Sequence, residues 1–524
     1  MTHQRKKLIE VSLPLKAINA ASAREKAIRH GHPSTLHLWW ARRPLAACRA
    51  VLFAQLVDDP SSWPDEFPTD QAQARERKRL HRIIEQMVPW KATHDERILG
   101  EARYEIARSL ARERGESPPK KNDARVVLDY LAEHGPPVCD PFCGGGSIPL
   151  EAQRLGLRAH GSDLNPVAVL VSKATCEIPP KFAGRAPVHP DVDGTRGWRG
   201  ASGLAEDIRR YGEWMWDEAR SLIGHLYPQV RVTNAMTEGR DDLRPYVGQE
   251  LTVIAWLWAR TVASPDPMLR RSQVPLVTSF VLSSKKGKKA IVVSIAHRKH
   301  GTSRFTIKTS GIGRDEFAKA KKGTKVGRGS NFTCLVSGAP ISAEYVKAEG
   351  MAGRIGARLM AVVAEGKRGR LYLDPTEDME AIARVAEPSW RPTENLPVNP
   401  RWFSPPSYGL PRYADLFTDR QLVALTKFSN LIAEAREKVL ADAVAAGMDS
   451  DGLRLADDGI GAHAYADAVA TYLGLATDKA ADYWSGICSW HSSGEFIRNT
   501  FARQAIPMVW DYAEANPLGI IRLS

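Results

Sequence analysis

Two spacings of apolar residues alternate along the chain, and together they predict a protein of mixed α/β structure. From 71 to 114, apolar side chains such as Leu80, Ile84 and Met87 recur every three or four positions among many charges, which indicates surface helices. Helices are also predicted at 123–135, 147–155, 208–227, 350–365 and throughout 419–515. Short apolar or β-branched runs predict strands at 8–13, 138–142, 159–163, 251–282, 290–296 and 304–308.

Linker-like passages suggest how the chain is divided. The stretches 179–203 and 392–411 are rich in proline and glycine, as linkers often are. With the changes in charge, they predict an N-terminal segment, 1–60; a charged helical region, 61–122; an α/β core, 123–180; a linker and helix, 181–250; a basic β-rich insert, 251–345; a mixed α/β region, 346–410; and a helical C-terminal region, 411–524.

Composition places the chain among folded proteins. With 524 residues, of which 43% are hydrophobic and 25% charged, it is too long for one small binding module and too apolar for global disorder. No segment has the roughly 18 to 20 uncharged apolar residues that cross a bilayer, and positions 1–7 lack the apolar run of a secretory signal. Scattered cysteines fit reduced thiols. We therefore expect a cytoplasmic protein with no membrane contact.

The net charge of +13 is concentrated in one part of the basic insert. Positions 281–330 hold 14 lysines or arginines but only two acidic residues, Asp315 and Glu316, and the runs SSKKGKK, HRKHG and KAKKGTKVGRG are predicted as loops between strands. Clustered cations attract the phosphates of nucleic acids, although a solvated surface would show the same run. The residues predicted to contact DNA are Lys285, Lys286, Lys288, Lys289, Arg298, Lys299, Lys321, Lys322 and Arg328.

The most informative motif is DPFCGGGSIP at 140–149, which follows a predicted strand and opens a helix. Three glycines allow a tight turn and a close approach of the backbone to a ligand, and Asp163 ends the next strand, where a carboxylate accepts hydrogen bonds from ribose hydroxyls. An aspartate at the strand end repels phosphate, so the pattern favours a cationic or zwitterionic nucleoside. The residues predicted to bind it are Asp140, Pro141, Phe142, Gly144, Gly145, Gly146, Asp163 and Asn165.

The loop and Asp163 together resemble motifs I and II of class I methyltransferases that use S-adenosylmethionine, in the form found in amino-methyltransferases acting on nucleic acids. The resemblance implies an α/β fold with a Rossmann-like methyltransferase core. It also implies that the glycine loop faces the methionine part of the cofactor, that Asp140 contacts it nearby and that Asp163 holds the ribose. Cys143 is expected only to fill the turn, because no histidine or lysine stands next to it.

A second unusual segment, HPSTLHLWWARRP at 32–44, combines side chains that are costly to bury without partners. From the residues alone, a structural cluster and a binding site are equally open. The segment is similar to the N-terminal region of adenine-specific DNA methylases, where it precedes motif I and corresponds to motif X. The similarity continues at 252–260, 350–375, 415–428 and 498–517. It implies that His32, Pro33, Trp39, Arg42 and Arg43 close over the cofactor, with Arg42 or Arg43 on its carboxylate.

No metal site is predicted. His32 and His37 have no acidic or thiol partner at ligand spacing. Members of the methylase family usually carry two Cys-x-x-Cys pairs in the insert, whereas this chain has SPDP at 264–267 and CLVS at 334–337. Because one thiol does not make a tetrahedral zinc site, we expect no structural zinc. If the insert keeps the zinc-ribbon fold of the family, we expect packing alone to stabilise it.

The catalytic tetrapeptide of these enzymes, Asp or Asn, two prolines, then Tyr or Phe, is absent from the sequence. The nearest runs, SPPSY at 404–408, DPTE at 374–377 and NPLG at 516–519, are more typical of proline loops or helix ends. The catalytic residues are therefore unknown. In the family the tetrapeptide follows the block at 498–517, so we expect a truncated product or half of a split enzyme, whose partner polypeptide completes an open sheet edge.

These features predict an S-adenosylmethionine-dependent DNA methyltransferase of the adenine-N6 type, or its cofactor-binding and DNA-recognition part, in restriction-modification or phage defence. One alternative is an RNA amino-methyltransferase, since the loop also resembles those of enzymes that modify transfer or ribosomal RNA. Another is a catalytically silent DNA-binding subunit of a defence complex.

Overall fold

The computed structural model describes residues 5–269, 272–297 and 302–519. It contains helices and several sheets, which confirms the prediction of a mixed α/β protein. The chain divides into two compact units, Met1–Ile208 with Val439–Leu475 and Arg209–Lys438 with Ala476–Ser524. The finer division into seven parts stays a prediction. Among the described residues no helix has both the length and the apolar character needed to cross a bilayer.

The first unit is mainly helical. Its helices are α1 (Leu8–Val11), α2 (Leu15–Glu25), α3 (Leu45–Leu56), α4 (Asp70–Met87), α5 (Glu96–Arg114), α6 (Ala124–His134), α7 (Ser147–Arg154), α8 (Pro166–Ser172) and α9 (Ile178–Lys181). Its strands, β1 (Val138–Asp140) and β2 (Ala159–Gly161), pair in parallel, and α7 lies between them in the chain. Within the described part of the chain, β1 and β2 pair only with each other.

Capping residues explain where the longest helices of this unit begin and end. Thr69 caps α4 and Asp95 caps α5, each by accepting backbone hydrogen bonds with its side-chain oxygen. Helix α5 ends at Gly115, whose φ of 69° is the left-handed conformation that favours glycine. The apolar faces of α1 to α7 pack into one core around fully buried residues such as Phe53 and Ile84.

The second unit is dominated by short and long antiparallel strands. They are β3 (Val230–Arg231), β4 (Glu250–Leu251), β5 (Val253–Ala263), β6 (Gln273–Leu276), β7 (Val281–Ser283), β8 (Ala290–His297), β9 (Thr302–Lys308), β10 (Phe332–Thr333), β11 (Pro340–Ile341), β12 (Gly356–Gly366), β13 (Gly369–Leu373), β14 (Ser489–His491), β15 (Phe496–Arg498) and β16 (Asp511–Ala515). Helices α10 (Ser202–Ile223), α14 (Asp419–Ala445) and α15 (Ala462–Ala481) contribute residues to both units, whereas α11 (Arg314–Lys322), α12 (Ala343–Met351) and α13 (Glu377–Arg384) belong to the second.

The largest sheet of the second unit has the order β13-β12-β5-β16, with β6 also paired to β5. Strands β7, β8 and β9 form another sheet. Buried side chains from both sheets, such as Leu257, Ile291 and Val363, share one core. In β5 the core residues Ala255, Leu257 and Ala259 stand at every second position, because side chains alternate between the two faces of a strand.

Two short predictions of secondary structure are wrong. The run LIEVSL at 8–13 is largely helix α1 instead of a strand, because Glu10 accepts a hydrogen bond from the N–H of Lys7 (2.8 Å) and this cap favours a helical turn. Residues 350–365, predicted as a helix, are mostly strand β12. Since β12 lies between β5 and β13 and is buried on both faces, its unbroken apolar run resembles that of a buried helix.

The prediction that 419–515 is entirely helical is wrong after Ala481, where the chain forms β14, β15 and β16. Strands β14 and β15 make a hairpin in which Trp490 lies opposite Ile497. Strand β16 pairs with β5, in which Ala513 lies opposite Leu257. A partner that far along the chain leaves no trace in the local spacing of apolar residues, which explains the error.

Candidate functional site

The glycine loop lies where β1 ends and helix α7 begins. The Asp140 carboxylate accepts a hydrogen bond from the N–H of Phe142 (3.1 Å) and so fixes the chain as it leaves the strand. Gly144 and Gly146 have φ values of 51° and 73°, in the left-handed region that favours glycine. Gly146 is the N-cap of α7. The loop is therefore a tight turn with the amino end of a helix directly behind it.

Asp163 follows β2 and holds the glycine loop from the neighbouring strand. Its Oδ1 accepts the N–H of Asn165 (2.9 Å), and its Oδ2 accepts the N–H of Gly144 (2.9 Å). These backbone bonds lower the pKa of Asp163, so its half-buried carboxylate is ionised at neutral pH. Asn165 caps helix α8 through the N–H of Val167 (2.9 Å). Each oxygen of Asp163 retains capacity for a further hydrogen bond.

The N-terminal segment lies against the same loop. Arg42 donates a hydrogen bond from Nη1 to the carbonyl of Gly145 (3.0 Å), and burial lowers the pKa of its guanidinium. A Cβ at Gly144 would come within 2.5 Å of Trp39 Nε1, and one at Gly145 within 2.6 Å of Arg42 Cζ. The glycines therefore make room for Trp39 and Arg42, a requirement that the sequence analysis did not foresee.

A cavity of about 410 Å³ joins the glycine loop, Asp163 and the N-terminal segment. The residues predicted to bind the cofactor that line it are Trp39, Arg42, Arg43, Asp140, Phe142, Gly144, Gly145 and Asp163. The other predicted residues, His32, Pro33, Pro141, Gly146 and Asn165, are not part of this lining. Sequence reasoning missed four further lining residues, Ala41, Cys143, Ser147 and Ile148. The structure thus brings the N-terminal segment, which is distant in the chain, to the glycine loop and Asp163.

His32 is buried next to Trp90, with ring centroids 4.6 Å apart. Its Nδ1 accepts the N–H of Ser34 (3.1 Å), whereas its buried Nε2 has no hydrogen-bond partner among the described residues. Burial, reinforced by Arg42 and Arg154, lowers the pKa of the imidazole, so the ring is neutral at pH 7. This environment fits a residue that shapes the N-terminal segment better than one that carries charge to a ligand.

Polar side chains after β2 hold the other side of the glycine loop. The Ser172 hydroxyl donates to the carbonyl of Gly144 (3.0 Å), and the Cys143 thiol lies 3.3 Å from the same hydroxyl. Directly after Ser172 the helix widens into a π-helical turn, Lys173–Glu177, an irregularity that is frequent at functional sites. Sequence reasoning missed this support. The only sign of it in the sequence was a hydroxyl residue, Ser172, at the end of an otherwise apolar helix.

A buried ion pair joins the helices that follow the two site segments. Arg49 of α3 and Glu151 of α7 are both fully buried and meet at 2.5 Å (Nε to Oε2) and 3.1 Å (Nη2 to Oε1). Glu25 caps α3 by accepting the N–H groups of Leu45 and Ala46 (2.9 Å each), and burial raises its pKa. Together these bonds position the N-terminal segment against the glycine loop. In the sequence, the only signal was a charged residue inside each helix, Arg49 in the apolar α3 and Glu151 in α7.

Replacing Gly144 with alanine should destabilise the protein by roughly 2 kcal/mol, because its left-handed backbone and the contact with Trp39 both oppose a Cβ. Thermal unfolding measures this loss. The control is Gly184→Ala: Gly184 also has a positive φ (76°), but its Cβ would meet nothing within 4 Å, so about 1 kcal/mol is expected. Equal losses for the two variants would argue against the packing of Trp39 on the loop.

Those residues predicted to contact DNA that the structure describes fall on several elements of the second unit. Those on the turn between β7 and β8 are exposed: Lys285, Lys286, Lys288 and Lys289. Lys321 and Lys322, predicted in a loop, lie instead at the end of helix α11, where lysines complement the helix dipole. Arg328 is exposed in the loop that follows. Arg298 and Lys299 lie outside the described residues.

The segments 264–267 and 334–337 come together around one buried sulfur. The Ser264 hydroxyl lies 3.5 Å from Cys334 Sγ, and the N–H of Ser337 donates to the same sulfur (3.4 Å). Burial alone would raise the pKa of the Cys334 thiol, but the bonds from Ser337 and Ser264 outweigh it, and the pKa is lowered. In the described part of the chain, no three His, Cys, Asp or Glu side chains form a group that could hold a metal ion.

The runs nearest to the catalytic tetrapeptide make structural contacts. Their bonds are Tyr408 hydroxyl to Ser330 Oγ (3.0 Å), Ile307 N–H to Asp374 Oδ1 (2.7 Å), and Asn516 Nδ2 to the carbonyl of Val253 (2.8 Å). Each bond ties a loop or strand end to a neighbouring element. We assign no catalytic residue.

Residues 12–83 match a model of the family described as "Protein of unknown function (DUF1156)". The matched stretch contains α2, α3 and most of α4, together with the segment at 32–44 that lies against the glycine loop. No curated protein and no solved structure matches the chain.

Proposed function

We propose that this chain is the cofactor-binding and DNA-contacting part of an S-adenosylmethionine-dependent DNA methyltransferase of the adenine-N6 type, with a Rossmann-like core around β1 and β2. The proposal depends on one observation, the single cavity lined by the glycine loop, Asp163 and the arginines of the N-terminal segment. These are the three segments whose sequences resemble cofactor-binding motifs of such enzymes.

The side chains around the cavity suit a zwitterionic nucleoside. The ionised Asp163 is an acceptor for ribose hydroxyls. Arg43 is the better candidate for the methionine carboxylate, because Arg42 already donates to the carbonyl of Gly145. The volume of about 410 Å³ falls in the usual range of ligand pockets, roughly 300 to 1,000 Å³. When bound, S-adenosylmethionine would supply a methyl group activated by its sulfonium.

An exposed apolar surface beside β1 and β2 supports a partner that carries the catalytic motif. Val138 packs against the core, whereas Cys139 on the opposite face of β1 is exposed. Phe142 and Leu164, which follow the two strands, are 85% and 100% exposed. Parallel sheets are normally covered on both faces. A second polypeptide that adds strands and the catalytic tetrapeptide would cover this surface.

A catalytically silent DNA-binding subunit is the second candidate, favoured by the absence of the tetrapeptide from this sequence. The measurement that separates the two is transfer of tritium from labelled S-adenosylmethionine to DNA with the candidate partner present. A silent subunit transfers no label under any condition. Parallel reactions with RNA would identify an RNA amino-methyltransferase.

Asp163→Ala should weaken S-adenosylmethionine binding at least about tenfold in isothermal titration calorimetry, because the variant loses a charged acceptor and the bond that holds Gly144. Thermal unfolding of the same sample checks that the variant is folded. An affinity equal to that of the wild type would overturn the assignment of the cavity.

The control for this variant is Asp193→Ala. Asp193 is an exposed aspartate of the first unit, and its Oδ1 accepts the N–H of Thr195 two residues later (2.9 Å), as Asp163 does with Asn165 (2.9 Å). Both substitutions therefore remove the same kind of hydrogen-bonded turn, but only Asp163 lines the cavity. We expect Asp193→Ala to bind the cofactor like the wild type.

A further inference from the structure

Three β-hairpins of the second unit meet at one surface, here called the three-hairpin surface, formed by residues 284–289, 366–370 and 489–498. The ammonium of Lys288 donates to the carbonyl of Arg368 (3.0 Å), which joins the first hairpin to the second. The N–H of Ser284 donates to the carbonyl of Ser492 (3.1 Å), which joins the first hairpin to the third. Residues more than 200 positions apart are thus neighbours.

Cations crowd the first two hairpins. The exposed ones are Lys285, Lys286, Lys288 and Lys289 on the first and Lys367, Arg368 and Arg370 on the second. Gly287, with a φ of 76°, closes the first hairpin in a tight turn, and the second has a two-residue turn between Gly366 and Gly369. Short turns hold these cations close to the sheets. The second group was not predicted from the sequence, because the residues just before it, 350–365, have the apolar pattern of a helix.

Two carboxylates contact this surface. Glu495 accepts hydrogen bonds from the Lys285 ammonium and the Tyr372 hydroxyl (3.0 Å), and these bonds outweigh its burial and lower its pKa. Glu365 lies opposite Arg370 in the pairing of β12 with β13. Two carboxylates do not balance the cations of the two hairpins. The surface therefore keeps a positive charge that suits phosphates.

The third hairpin presents an aromatic ring beside these cations. Phe496 is 51% exposed and stacks on His491, with centroids 4.6 Å apart and planes inclined by 21°. A Cβ on Gly494 would come within 2.2 Å of the Phe496 ring, so only glycine lets the ring fold back onto the hairpin. Glu495 has a φ of 59°, a strained conformation for a glutamate. Phe496 and Arg370 line one cavity of about 280 Å³.

We propose that the three-hairpin surface binds single-stranded nucleic acid, with the cations of the first two hairpins on phosphates and Phe496 stacked on an unpaired base. Proteins that bind unpaired strands combine cations along the backbone with aromatic rings for the bases. A duplex would use only the cations, because its bases already stack on each other. The cavity, slightly smaller than the roughly 300 Å³ of typical ligand pockets, suits one ring system. This binding goes beyond the proposed function, since it requires neither cofactor nor methyl transfer.

Fluorescence anisotropy of the full chain with a labelled single-stranded oligonucleotide and with its duplex tests the surface. Lys367→Ala combined with Arg368→Ala should weaken single-strand binding roughly twentyfold at 0.1 M salt and reduce the slope of log affinity against log salt by about 1.4, or ~0.7 per phosphate contact. The control, Lys347→Ala with Arg401→Ala, removes the same charge from exposed positions elsewhere in the second unit and should change binding less than about twofold.

The aromatic ring separates single-strand recognition from simple attraction of a polyanion. Phe496→Ala should weaken single-strand binding about tenfold and duplex binding less than twofold, while Phe496→Tyr keeps both. Gly494→Ala, which displaces the ring, should reproduce the loss. Equal effects on both oligonucleotides, or binding to heparin that competes as well as the single strand, would overturn the proposal. Calorimetric titration with S-adenosylmethionine on the same samples tests the proposed function separately.

Discussion

The Glu151→Gln variant should lose about 3 to 5 kcal/mol of unfolding free energy, because it leaves the buried Arg49 without the carboxylate that is bonded to its guanidinium. Arg49 and Glu151 are both fully buried, and the other acceptor near Arg49 is the carbonyl of Met87. A neutral amide offers one acceptor oxygen where the carboxylate offers two, so one guanidinium N–H loses its partner as well. Differential scanning calorimetry should show a melting temperature lower by roughly 10 °C.

Two further variants make this prediction specific. Asp129→Asn breaks an exposed pair with Arg125 on α6 in the same unit and should cost less than about 0.5 kcal/mol. Arg49→Met combined with Glu151→Met replaces the pair by apolar side chains and should recover part of the loss, because Arg154, which also pairs with Glu151, still loses that carboxylate. If Glu151→Gln melts like Asp129→Asn, the two helices are not joined by a desolvated pair.

The same variant bears on the candidate site. Arg49 lies on the helix that follows the N-terminal segment, and Glu151 lies on the helix that follows the glycine loop. Loss of this ion pair should weaken binding of the proposed cofactor even though neither side chain lines the cavity. The double substitution should restore affinity together with stability, which would separate positioning of the segments from direct contact with the ligand.

The local half of the candidate site could be predicted from sequence because its parts are close along the chain. The strand, the glycine turn, the helix and Asp163 all lie between 138 and 163, where residue types determine the geometry. A carboxylate at the end of a strand and glycines at positive φ can each be recognised from the type of a single residue. The bond from Gly144 to Asp163 then follows from the parallel pairing of β1 and β2.

Contacts between distant segments could not be predicted in this way. Nothing in the local pattern says that Arg42 lies against Gly145 or that Arg49 pairs with Glu151, because the partners are about a hundred residues apart. A resemblance to a family suggested only that the N-terminal segment closes over the cofactor, and no argument suggested either of these contacts. Packing between elements determines both, and the spacing of apolar residues reports only which face of each element is buried.

The basic insert shows the same limit for function. Lys285 to Lys289 were conspicuous as a run, and the structure places the exposed lysines of this run on a hairpin turn. The neighbouring cations Lys367 and Arg368 were hidden, since β12 looked helical and its turn to β13 was not expected. A charged surface assembled from several hairpins becomes visible only when the strand pairing is known.

The Arg420→Lys variant should destabilise the second unit by about 3 kcal/mol, although the substitution keeps the charge. Arg420 and Glu514 are each only 1% exposed, and the guanidinium meets the carboxylate through Nε (3.1 Å) and Nη2 (2.7 Å). It also donates from Nη1 to the carbonyl of Leu226 (2.9 Å) and lies 4.3 Å from the centroid of Trp256. A lysine ammonium reproduces neither the planar fork nor the stacking.

Guanidinium chloride unfolding, followed by the fluorescence of buried tryptophans such as Trp256, measures this loss. The control is Arg244→Lys, in which the exposed partner Asp241 should pair with lysine equally well, so a change of less than about 0.5 kcal/mol is expected. A similar midpoint for the two variants would show that charge alone, without the bidentate geometry, stabilises the contact between Arg420 and β16. A large loss for Arg420→Lys, with little change for Arg244→Lys, would establish that the bidentate guanidinium joins α14 to the largest sheet of the second unit.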